Sequence, residues 1–129
     1  MRRDMDLIRD LMLKLESMPR TPGMVDELLA GDGEMIIEGY SPAEIDYHLN
    51  LINEAGFLKT MGSMLSGNIL FDRLSLAGHD FVDSVRSPEV WAKTKQGAAA
   101  AGGFTVDLLK DLAKGFIKKQ IEEYTGVKL

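Results

Sequence analysis

There is no cysteine among the 129 residues. That absence removes disulfides, thiolate metal ligands and cysteine nucleophiles, and it fits a chain at home in a reducing, cytoplasmic compartment. Histidine is nearly as scarce, with only His48 and His79. His79 and Asp83 have a helical ligand spacing, but one histidine and one carboxylate are a thin donor set, so no metal site is assigned. No uncharged apolar stretch approaches the roughly 20 residues of a membrane span. The amino end, "MRRDMDLIRDLMLKLESM", places acidic residues among its apolar ones too early for a secretory signal. Phosphate-loop chemistry is also missing. The glycines of "GAAAAGG" follow a helical pattern and lack the Lys and Ser/Thr that would hold a nucleotide. No serine is framed by a base and an orienting acid, and Ser41, Ser75 and Ser87 are placed to cap helices. No catalytic residue and no cofactor is therefore assigned, and a non-enzyme is expected.

What is present is an ordinary globular composition, 45% hydrophobic and 27% charged, in a chain long enough to bury a core without staples. Eight methionines read as gap-fillers in that core. Charge is uneven. Residues 1–86 carry 15 acidic against 8 basic side chains, a net of −7, whereas residues 87–129 carry 5 against 7, a net of +2. The acidic part repels a phosphate backbone unless its few cations cluster.

Periodicity places the elements. Met5, Ile8, Met12 and Leu15, widened by Leu7 and Leu11, predict a helix over 4–17 that ends before Pro19. Residues 24–30, MVDELLA, read as a short helix and 35–38, MIIE, as a short strand. "SPAE" at 41–44 is a capping box with Pro at the first helical position, followed by Ile45, Leu49 and Ile52 and stopped at Gly56. The runs 57–61 and 69–74 flank GSMLSGN and predict a hairpin with a long tip. Ser75 caps a helix over 76–86, Ser87-Pro88 starts another through Trp91, and Thr105 caps the last, reaching Tyr124. The single tryptophan reads as a packing anchor, and His79 as the donor that fixes the strand-to-helix junction.

Helix, strand, helix, hairpin, helix is the order of a winged helix. The expected fold is α+β and mostly helical: a winged-helix-like domain over 1–86 and a helical C-terminal extension over 87–129, packed on that domain or on a second copy. The texts "RRDMDLIRDLML", "YSPAEIDYHLNLINEAGFL" and "RLSLAGHDFVDSVRSPEVWAKTK" together resemble a bacterial, prophage-associated family of small proteins of unknown function. Ser75 stands where that family commonly has Thr, and Ala77 where it has a bulkier polar side chain. The resemblance implies a winged-helix-like domain with helical additions and supplies no activity, cofactor or catalytic residue.

Two functions remain open. The first is a non-enzymatic, mobile-element-type regulatory module that contacts DNA as an oligomer, with Asn50, Asn53, Lys59 and Arg73 as the candidate DNA contacts. The second is a protein-interaction adaptor with no nucleic-acid role. Basic residues gathered on one face favour the first; an exposed apolar wing beside an acidic helix favours the second. Leu109, Leu112, Phe116 and Ile117, on a face that also includes Leu108 and Ile121, are the candidate oligomer interface, and a homo-oligomer is expected because a helix this apolar must cover its face.

Overall fold

The computed structural model describes residues 1–103 and 105–129, and within the last helix it describes all side chains but those of Leu109 and Lys110. The described chain is α+β, with five α-helices and a small antiparallel sheet. It divides into two compact units, Met1–Val82 and Asp83–Leu129.

The first unit begins with α1 (Met5–Ser17), capped by Asp4, whose carboxylate accepts from the Leu7 N–H. Met5, Leu7, Ile8, Leu11, Met12 and Leu15 are all buried, and each such side chain contributes about 2 kcal/mol on leaving water. The next stretch departs from the expected order. Residues 24–30 form no helix; Asp26–Glu27 is a strand, β1, and Gly33–Met35 a single 3-10 turn, while residues 36–38 make no strand. The reason lies in β3 (Ile69–Leu74), which β1 pairs on one edge and β2 (Leu58–Ser63) on the other, in the order β1-β3-β2. With both edges of β3 taken, Ile36 and Ile37 have no ladder to join there. A seven-residue helix is marginal by itself, whereas β1 gains ladder bonds, continued by the Leu28 N–H donating to the Ile69 carbonyl at 2.9 Å. Arg20 holds this segment down. Its guanidinium donates to the Asp26 carboxylate and the Met24 carbonyl and lies 5.0 Å over the Phe71 ring.

α2 (Pro42–Glu54) carries the full capping box: Ser41 accepts from the Glu44 N–H, and the Glu44 carboxylate accepts from the Ser41 N–H. It stops at Gly56 with φ +80°, a left-handed conformation that costs glycine little. Phe57, just beyond, is buried. The β2–β3 hairpin is irregular, with register shifts on either side of Thr60, as is common on edge strands. α3 (Leu76–Val85) is started by Ser75, whose hydroxyl accepts from the Gly78 N–H and donates to the Gly56 carbonyl. Phe81 stacks on Phe57 with ring centroids 4.9 Å apart.

The division between the units falls inside α3. In the second unit α4 (Pro88–Ala100), capped by Ser87, packs against α5 (Val106–Thr125), capped by Thr105. Small residues make the close approach: Ala98 and Ala113 are fully buried, and Leu112 lies over Gly97. Val90, Trp91 and Thr94 are buried as well. Among the described residues no helix is long and apolar enough to cross a membrane, and no group of three or more acidic or histidine side chains is placed to hold a metal ion.

Candidate interaction surface

His79 does not have the junction role that the sequence suggested. His79 is exposed, and it is Ser75, not His79, that fixes the strand-to-helix junction. His48 is 1% exposed. Its Nδ1 lies 2.7 Å from the Glu44 carbonyl, and its Nε2 accepts from the Asp4 N–H at 2.9 Å. Those partners require the neutral tautomer with the proton on Nδ1. The ring thereby ties the start of α1 to α2. The signal was available, since Ile45, His48, Leu49 and Ile52 follow the i, i+3, i+4, i+7 spacing of one buried stripe.

Asp4 completes the clasp, because its second carboxylate oxygen accepts from the Tyr40 hydroxyl at 2.7 Å. That bond, then burial and the charges of Asp4, Asp6 and Asp10 push the Tyr40 phenol up to about 12 from its ordinary 10.0. The folded state therefore holds the proton more tightly than the unfolded chain, so the contribution is fully present below pH 10 and is lost as pH rises toward 12. A spectrophotometric titration of the phenolates should show one component near pH 12, and Tyr40→Phe should abolish it along with the alkaline fall in stability over that window.

The outer side of α2 is acidic. Asp46 and Glu54 are exposed, as are Tyr47 and Asn50. Between Arg20 and Lys59 the sequence holds eight acidic residues and no Lys or Arg. Of the candidate DNA contacts, Asn50 donates its side-chain amide to the Asp46 carbonyl at 2.8 Å. Asn53 is half-buried, Lys59 is exposed, and Arg73 donates to the Leu74 carbonyl. Lys59 and Arg73 are brought opposite each other as cross-strand partners of β2 and β3. The hairpin tip is apolar: Met61, Met64 and Leu65 are all exposed. Beside it, Leu29, Ala30, Pro42, Asp46 and the tip residues Ser66, Gly67 and Asn68 line an open groove of about 330 Å³. Asn68 also donates to the Glu27 carboxylate at 3.4 Å, which keeps a second acid next to the tip.

In the second unit, Leu112, Phe116 and Ile117 are half-buried and Leu109 lies outside the described side chains. Leu112 is engaged with α4 at Gly97. Ile121, 42% exposed, is more open than any of these three.

A family profile described as "Hypothetical protein (DUF2513)" matches residues 2–104. The chain is also similar to a protein of Haemophilus influenzae (strain ATCC 51907 / DSM 11121 / KW20 / Rd) described as "Uncharacterized protein". The two are 27% identical over 124 residues, which cover 94% of this chain and 99% of that one. No solved structure matches.

Proposed function

Because the chain belongs to the DUF2513 family of hypothetical proteins, whose description assigns no activity, we propose its function from geometry: a non-enzymatic protein-interaction module of winged-helix-like build. The element order and the β1-β3-β2 sheet support the winged-helix reading, with the β2–β3 hairpin as the wing. The observation that carries the protein-binding reading is the wing tip. Met61, Met64 and Leu65 stand exposed there beside the acidic surface of α2. Duplex-binding surfaces present cations to phosphate and polar side chains to base edges. Here Asp46 and Glu54 oppose phosphate, and the Asn50 amide is engaged within its own helix. An exposed cluster of large apolar side chains suits protein contact. The prophage association rests on the sequence resemblance alone.

A fluorescence-anisotropy titration of mixed-sequence duplex DNA at low salt tests the reading. No saturable binding is expected even at high protein concentration. Binding that falls steeply with added salt, and that loses sequence preference in Asn50→Ala/Asn53→Ala, would establish the DNA-regulatory function in its place.

A further inference from the structure

α5 carries Lys114, Ile117, Lys118 and Ile121 at the i, i+3, i+4, i+7 spacing of a single helix face. Lys114, Lys118 and Ile121 are exposed and Ile117 is half-buried. α4 takes a different side of α5, the side of Leu112 and fully buried Ala113. The stripe thus offers two cations one helical turn apart, alternating with two branched apolar side chains. The groove beside the hairpin tip offers the matching set. Leu29 is its exposed large apolar residue, Met64 and Leu65 stand exposed on the adjoining tip, Asp46 is in its wall, and Glu27 is bound to the tip through Asn68. The chain from Thr21 to Leu58 that builds most of this surface is acidic and contains no Lys or Arg.

We propose that the groove of the first unit receives α5 of a second copy of this chain, and that reciprocal docking closes a two-fold dimer. The proposal rests on the protein-binding reading of the wing and names its occupant. Charge complementarity selects that occupant. An acidic, apolar groove takes a basic, apolar helix face, and every copy supplies one. A one-way contact of this kind would propagate into a chain of molecules, whereas reciprocal exchange closes at two. Reciprocity also doubles the buried surface, which moves a single helix-in-groove contact toward the ~1,200 Å² at which stable interfaces begin. The paired charges sit at an exposed rim, so added salt weakens the dimer.

Sedimentation of the full chain across a range of NaCl concentrations is the first measurement. A reversible dimer is expected, with a dissociation constant that rises as salt rises. Charge reversal then assigns the surfaces. Lys114→Glu/Lys118→Glu and Glu27→Lys/Asp46→Lys are each expected to weaken self-association at least tenfold, and an equimolar mixture of the two is expected to recover it as a heterodimer. Lys114 and Lys118 are exposed, so far-UV circular dichroism of the first variant should match wild type; Lys114→Gln/Lys118→Gln repeats the test with a milder change and should lose the salt dependence. A monomeric wild type, a dimer indifferent to both reversals, or reversals that weaken it without recovery on mixing would each overturn the proposal. A monomer that also ignores duplex DNA leaves the protein-binding function standing with a different occupant, whereas DNA binding overturns that function whatever the oligomeric state.

Discussion

Gly78→Ala should cost about 3 kcal/mol or more of unfolding free energy, at the top of the range for forced overpacking. A Cβ built at Gly78 would sit 2.2 Å from the Phe57 carbonyl oxygen and 3.0 Å from its carbonyl carbon. A Cβ essentially never comes within 3.0 Å of a non-bonded atom, and the obstacle at 2.2 Å is backbone, which cannot swing aside as a side-chain end can. Relief requires α3 to lift away from the start of β2. That movement would strain the Ser75 N–H bond to the same Phe57 carbonyl, the Ser75 hydroxyl bond to the Gly56 carbonyl, and the stack of Phe81 on Phe57. Gly115→Ala is the control. It lies within α5 with nothing inside 4 Å of an added Cβ, so it should be neutral or stabilise by up to about 1 kcal/mol through helix propensity. Urea unfolding followed by far-UV circular dichroism compares the two. A Gly78→Ala midpoint equal to wild type would contradict the close packing of α3 on Phe57.

His48→Leu should cost about 2–3 kcal/mol, because it leaves the part-buried Asp4 N–H without its acceptor and removes a packed ring. The loss concentrates at the clasp: the Asp4 N–H loses Nε2, and the ring no longer bridges to the Glu44 carbonyl. His48→Gln can place a side-chain oxygen where Nε2 stood, so it should retain part of the stability. His79→Ala should stay within about 0.5 kcal/mol of wild type, as substitutions at exposed positions usually do. Thermal unfolding should rank His48→Leu lowest and His48→Gln intermediate, with His79→Ala unchanged from wild type. A His79→Ala loss as large as that of His48→Leu would restore His79 as the junction residue.

The contrast between the two histidines shows how far the sequence could be followed. Both sit on helices, and both have polar neighbours in sequence. His48 belongs to the stripe Ile45–Leu49–Ile52, a pattern visible in the sequence, but its partner Asp4 lies 44 residues away. Spacing indicated the buried face without naming what met it there. On α5 the spacing likewise showed an excess of apolar residues over 108–121. It did not show that α4 would take the side of Leu112 and Ala113 and leave Ile121 open beside Lys114 and Lys118. The charge contrast between the two ends of the chain, by comparison, is a property of composition and needed no coordinates.

The helix starts were determined by the sequence alone. Ser41, Ser75, Ser87 and Thr105 each accept from the N–H three residues on, and an interaction confined to one turn is encoded by the residues of that turn. The stop at Gly56 and the hairpin after it are local in the same sense. Only the tertiary structure decided that residues 24–30 would hold a strand and 36–38 none, because the choice depends on which edges of β3 are free. Only it decided that position 78 must be glycine, because the atom that forbids a side chain is the Phe57 carbonyl, brought close when α3 folds back onto the start of the hairpin. Local capping energies are settled by the nearest neighbours in sequence, whereas edge pairing and backbone contact are settled by whichever distant segment occupies the same space.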